Sequence, residues 1–190
     1  MSIYYAIPRA SAFALVSLGA IGIGLAVGAF LAFADDDDDY GRRRGRQLER
    51  REIGAAIDPV FKTECSSCHM LYPTGLLPAR SWKLMMAGLN NHFGENASLD
   101  KETTERLTKF LTENAADRSD LRRSKKIAKS IPQNEAPQRF TETNYFKRQH
   151  HEVSAKIWKR KAVGSPANCV ACHKGAETGA YAEDDVRIPK

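Results

Sequence analysis

The chain has 190 residues, with 42% hydrophobic and 27% charged side chains, so wholesale disorder is excluded and one domain or two small ones are expected. Lys and Arg number 29 against 23 Asp and Glu, a formal charge of +6. Four cysteines are too few for a disulfide-dense scaffold of this length, and two of the five histidines directly follow the cysteine pairs.

From Ala10 to Ala34 there is no charge; Arg9 precedes the stretch and Asp35 to Asp39 follow it. It ends Ala32-Phe33-Ala34, the small-x-small pattern of signal-peptide cleavage. Residues 1–34 therefore read as a signal peptide, with a retained membrane anchor as the alternative, since the run is long enough to span a bilayer. Arg42, Arg43, Arg44 and Arg46 weigh against the anchor, because they would lie on the exported side. Both readings export the rest of the chain, so the expected location is the periplasm, and nucleic acid is not an expected partner. An uncleaved N-terminus would give the protein a membrane contact. Residues 35–52, an acidic run followed by an arginine-rich one, read as a charged flexible spacer.

Asp58-Pro59 predicts a helix start, an N-cap followed by proline at the first helical position. Pro73, Gly75 and Pro78 mark a loop. A second helix is expected from Ser81 to His92, where Trp82, Met85, Met86 and Leu89 recur at i, i+3, i+4, i+7. A third fits Asp100 to Asn114. Residues 116–141 are charged and read as a connection whose Lys and Arg at 122, 123, 125, 126 and 129 form a basic face. A further helix is expected from Asn144 to about Lys159. No segment alternates like a β-strand, so the fold is mostly α.

Two motifs carry the chemistry. Cys65-Ser66-Ser67-Cys68-His69 and Cys169-Val170-Ala171-Cys172-His173 are both Cys-x-x-Cys-His, the attachment sequence for c-type haem. Two thiols at this spacing add to the two haem vinyl groups as thioethers, and the adjacent histidine becomes the proximal iron ligand. A four-cysteine zinc site, two redox dithiols or two disulfides would each leave the paired histidines unexplained. Two covalently attached haems are the expected cofactors.

Haem c usually has a second axial ligand, His or Met. His92, Met70, Met85 and Met86 are the candidates for the first haem. Met70 is too close to the proximal histidine to cross the ring, and the other two methionines suit a core. His92 falls on the apolar face of the second helix, three residues after Leu89, and is the expected distal ligand. At the second haem, Phe146, His150, Val153 and Ile157 share a stripe, which favours His150, with His151 as second choice. Two six-coordinate irons leave no position for a substrate, so an electron carrier is expected rather than an enzyme. A small haem enzyme or gas-binding sensor with one open or labile site is the alternative. Lys156, Lys159, Arg160 and Lys161 suggest a docking rim beside the second motif for an acidic or membrane-bound partner.

From about Ile57 onward the chain resembles the dihaem cytochrome c family. The resemblance is carried by Glu64 to Trp82, ECSSCHMLYPTGLLPARSW, by His92 to Ala97, HFGENA, and by Gly164 to Ala176 around the second motif. It implies a class I cytochrome c-like N-terminal haem domain, set here at 53–115, and a small, loop-rich C-terminal haem domain at 142–190. It also implies two histidines on each iron, mapping the distal pair onto His92 and His150. The implied partners are a b-type membrane cytochrome and a small oxygen-binding haem protein.

Overall fold

The computed structural model describes residues 52–190; the signal or anchor segment and the charged spacer up to residue 51 lie outside the described residues. Among the described residues there are six α-helices and six 3-10 turns, and no strand. None of these helices is long and apolar enough to cross a membrane.

Helix α1 is Pro59–Cys65. The Asp58 carboxylate accepts from the amides of Val60 (2.8 Å) and Phe61 (3.1 Å), which fixes its start. The same carboxylate meets Arg106 at 2.7 Å, tying α1 to the third helix. Helix α2 is Ala79–Ala87. Pro78 has no side chain to cap it, and Asp117 supplies the acceptor for the Ala79 amide at 2.9 Å. Helix α3 is Lys101–Glu113, capped by Asp100, whose carboxylate accepts from Thr103 at 2.8 Å.

These three helices close on one core built from Phe61, Leu77, Trp82, Met86, Leu107 and Leu111. Leu107 and Leu111 are fully buried, each contributing roughly 1.5–3 kcal/mol. The exposed Lys101–Glu105 pair on the outer face of α3 adds only about 0.3–0.5 kcal/mol, so packing decides the placement of this helix.

The second helix is shorter than its apolar stripe. Gly88 ends it, donating to Met85 O at 3.0 Å, and Leu89–Asn91 continue as a 3-10 turn. His92 therefore stands on a loop beyond the helix. The stretch 116–141 contains a helix the sequence did not announce, α4, Arg122–Ser130. Its inner face is narrow: Ser124 and Ile127 are buried, and Ile131 follows one turn later. So few apolar residues give little periodic signal against five cations. Arg123 does not join the basic face. It pairs with Glu52 at 2.8 Å and is half-buried.

The expected long helix from Asn144 is two pieces, α5 Asn144–Gln149 and α6 Ala155–Trp158. Thr143 caps the first, and Val153 donates to His150 O at 3.0 Å in the turn between them. Beyond α6 the chain has only 3-10 turns, among them Cys169–Ala171 and Ala176–Thr178.

A second core joins the two ends of the described chain. Ile53, Leu76, Ala116, Ile127, Ile131 and Tyr145 pack together. The amides of Glu52 and Ile53 donate to Gly179 O at 3.0 and 3.2 Å. Gly179 has φ +78, and a Cβ there would strike the Ile53 carbonyl, so glycine is required on both counts. Gly75 is equally constrained: its amide donates to Gly54 O at 2.7 Å, and an added Cβ would lie 2.6 Å from Gly54 N.

Replacing Gly75 with Ala is expected to lower unfolding stability by about 1–3 kcal/mol through overpacking. At Gly164 (φ +77), where a Cβ meets nothing within 4 Å, alanine should cost only the backbone penalty of roughly 1–2 kcal/mol. Denaturant titration of the two variants checks both, and the Gly75 variant should additionally lose native packing around Ser124.

Candidate functional site

At the first motif, α1 delivers Cys65 at its last residue, and the chain then turns through Ser66 to His69. The His69 Nδ1 donates to the Met70 carbonyl at 2.7 Å, because a carbonyl can only accept. That fixes the tautomer and leaves Nε2 with its lone pair. The His69 and His92 ring centroids are 6.2 Å apart, with planes at 32°. Around them lies a cavity of about 720 Å³, lined by Cys65, Cys68, Trp82, Met85, Leu89 and Phe140 among others. Met86 is buried in the core and Met85 packs half-buried against it, so both methionines have packing roles.

His92 sits on a tight turn. Its amide donates to Glu95 O at 2.7 Å, and the Glu95 amide returns to His92 O at 3.2 Å. The two central residues, Phe93 and Gly94, have φ of +56 and +103. Positive φ at both is the pattern of a primed hairpin turn, natural for Gly94 and strained for a phenylalanine. The Phe93 ring is exposed and carries the Arg139 guanidinium 3.9 Å from its centroid.

The second site is built from the C-terminal half. The His173 amide donates to Cys169 O at 2.8 Å, folding the motif into one tight turn. The His150 and His173 rings stand 6.1 Å apart with planes at 81°. His150 is held in three ways: its Nδ1 donates to Phe146 O at 2.9 Å, its ring stacks on Phe146 at 4.0 Å, and Trp158 lies 5.9 Å away. His151 points elsewhere, exposed, with Nδ1 donating to Arg148 O at 2.9 Å.

Both ring pairs fit a planar metal group between them. With a metal–nitrogen bond of about 2.0–2.1 Å and about 1.1 Å from nitrogen to ring centre, two imidazoles on opposite sides of one ion have centroids about 6.2 Å apart. The electrostatics fit as well. Burial lowers the pKa of His92, His150 and His173, so these rings are held neutral, the form that donates a lone pair to iron. Burial also pushes the Cys65 and Cys169 thiols up to about 11. The four cysteines form no disulfide, and no cluster of three or more metal-ligating side chains occurs among the described residues. The two cysteine pairs thus do not converge on a zinc site.

The sites are joined by contacts the sequence did not reveal. Tyr72 lies 5.1 Å from the His69 ring, and Tyr181 lies 5.1 Å from the His173 ring. The Tyr72 hydroxyl donates to Ala167 O at 2.8 Å, two residues before Cys169. The Leu71 amide donates to Glu177 Oε1 at 2.8 Å. Burial holds the Tyr72 hydroxyl protonated, with a pKa raised to about 12, and raises Tyr181 well above its ordinary value. Tyr72 could have been noticed three residues after His69; nothing in the sequence singles out Tyr181 or the Phe93–Arg139 contact.

A family model of dihaem cytochromes c matches residues 61–181, more than half of the chain. The chain belongs to the dihaem cytochrome c family. It accordingly carries two covalently bound c-type haems and is a haem-based electron-transfer protein. A dihaem cytochrome c from Rhodobacter sphaeroides is 46% identical, with a TM-score of 0.59, covering 68% of this chain and 99% of that one. A dihaem cytochrome of type c from Shewanella baltica OS155 is 39% identical, with a TM-score of 0.57, covering 69% of this chain and 92% of that one. Among curated proteins nothing matches. The mostly α fold expected from the sequence is the fold observed, and members of this family are typically carriers rather than enzymes.

Glu177→Ala is expected to cost about 1–3 kcal/mol, because the buried Leu71 amide loses its acceptor. Glu177→Gln should recover most of that. The Tyr72–Ala167 bond and the bonds of residues 52 and 53 to Gly179 still join the two sites, so unfolding followed at the haem bands should remain one transition in both variants.

Proposed function

We propose that the protein is an exported, periplasmic electron carrier whose haems are each held between two histidines. Cys65 and Cys68 anchor the first haem, with His69 proximal and His92 distal. Cys169 and Cys172 anchor the second, with His173 proximal and His150 distal. The observation that carries this reading is the pair of ring separations, 6.2 and 6.1 Å, each matching two imidazoles across one iron. When bound, the haems supply reversible one-electron exchange.

The chain's residues set the conditions for that exchange. His69 and His150 each have Nδ1–H tied to a backbone carbonyl, which fixes the ring and makes Nε2 a stronger donor. Two imidazoles per iron give lower potentials than an imidazole and a thioether. Trp82, Met85 and Leu89 give the first cavity apolar surface for the haem to pack on. At the second site Phe146 and Trp158 have the same role.

The surface supports the choice of partner. Lys147, Arg148, Lys156, Lys159, Lys161 and Lys174 are exposed around the second site, and Glu152 is the one acidic residue between 144 and 174. Arg160, expected in this rim, is partly buried and donates to Pro189 O at 2.7 Å, so it serves the fold. An acidic docking face on the partner suits this rim. A b-type membrane cytochrome and a small oxygen-binding haem protein, between which the electrons pass, complete the proposal.

His92→Met should raise the potential of one haem by on the order of a hundred millivolts, within the roughly 0.8 V over which axial ligands set haem potentials. His151→Ala should leave both potentials unchanged. A spectroelectrochemical titration of the holoprotein decides; an unmoved titration in His92→Met would remove His92 from the ligand set. Charge reversal at Lys159 should slow electron exchange with an acidic partner several-fold at low ionic strength and little at high salt. Stopped-flow rates across a salt series test it, and salt-independent rates would defeat the docking rim.

A further inference from the structure

We propose that His92 is a displaceable ligand, so that the first site takes up a small neutral diatomic such as carbon monoxide while the second stays closed. The inference rests on the two-histidine reading above and concerns what separates its two halves.

The contrast begins with the rings. His150 has a hydrogen bond from Nδ1, a stacking partner and an indole beside it. The His92 ring makes no hydrogen bond among the described residues, and its aromatic neighbours are His69 itself and Phe93 at 4.7 Å. His173 also lacks a ring hydrogen bond, but the Cys169 and Cys172 thioethers hold it by the backbone. His92 has no such tether.

The backbone points the same way. His150 closes helix α5, donating its amide to Phe146 O at 3.1 Å. His92 sits in a turn closed by its own amide to Glu95 O (2.7 Å) and by the Ala97 amide to Leu89 O (2.8 Å), but that turn lies in exposed chain, residues 93–98, rather than on a helix. Its central Phe93 is held at φ +56, where a bulky side chain is strained. Such strain persists only when surrounding contacts hold it. The contact here is the Arg139 guanidinium over the Phe93 ring, with Arg139 itself 3.7 Å from Glu142. Relaxing the turn releases strain and carries His92 outward. Arg139 is thus a latch, a positioning residue acting through Phe93.

The first cavity is lined by Leu89, Leu99 and Phe93 together with Asn96, Gln138 and Arg139, so carbon monoxide is chosen for its affinity for a reduced haem and not by the pocket wall. The exchange breaks the bond to His92 Nε2 and forms one to the diatomic's carbon or nitrogen; His92 leaves as neutral imidazole, and no electron is transferred.

The test uses the full holoprotein. Ferric electron paramagnetic resonance comes first: two low-spin signals are the starting point, and a high-spin signal would overturn the two-histidine reading itself. The dithionite-reduced protein is then mixed with carbon monoxide. The expected result is a spectral change belonging to one haem of the two, at a rate that saturates with carbon monoxide because His92 departure limits it. Arg139→Gln and Phe93→Leu, which remove the latch from either side while leaving a strained side chain at the turn, should speed that departure roughly two- to fivefold. His92→Ala should convert the slow phase into fast binding of the same amplitude. Two low-spin signals with no carbon monoxide binding would overturn this inference alone. So would unchanged rates in both latch variants, or an unchanged slow phase in His92→Ala, which would place the labile site at the second haem.

Discussion

Two imidazole rings must stand about 6 Å apart with nothing but a flat group between them, and this chain must do it twice. Most of what the structure does follows from that demand. One ring of each pair is fixed by covalent chemistry, since Cys-x-x-Cys-His delivers the histidine with the haem. The other must be brought from elsewhere by folding. Helix α2 and its 3-10 extension bring His92 to His69 from within the N-terminal half. Helix α5 brings His150 to His173 across more than twenty residues of mostly irregular chain.

Irregular chain can hold such a distance only if its ends are pinned. Here the pins are hydrogen bonds that cross between sites, each with at least one backbone partner. Residues 52 and 53 bond to Gly179, Leu71 bonds to Glu177, and Tyr72 reaches Ala167. The close contact of Gly75 with Gly54 then fixes the loop after the first motif against the second core. Helix α4 fills the remaining face with Ile127, and its five basic positions are reduced to four exposed ones by the Arg123–Glu52 pair.

The sequence disclosed what depends on neighbours and hid what depends on distance. Cys65 to His69 and Cys169 to His173 are legible because their chemistry is set by spacing over five residues. Helices α1 and α3 are legible because Asp58 and Asp100 cap them locally. The end of α2 is not, since the apolar stripe runs on through Leu89 while Gly88 stops the backbone. The periodicity argument favoured His92, although His92 does not lie on a helix. It faces His69 because a strained turn aims it there. The split of the Asn144–Lys159 helix went unseen for a related reason: the stripe from Phe146 to Ile157 survives the break at His150. Tyr181 and Arg139 left no local trace, because their roles exist only once remote segments meet.

The pins between the sites also bear on the attachment cysteines. The first site is completed by residues 167–179, which are made after it and which contain the second motif. In the folded chain the Cys65 and Cys169 thiols are shielded and held protonated, the unreactive form. Closing Glu177 and Gly179 onto the N-terminal half leaves Cys65 and Cys169 half-buried while Cys68 stays exposed, so the contacts that unite the two sites also decide which attachment positions remain within reach of solvent.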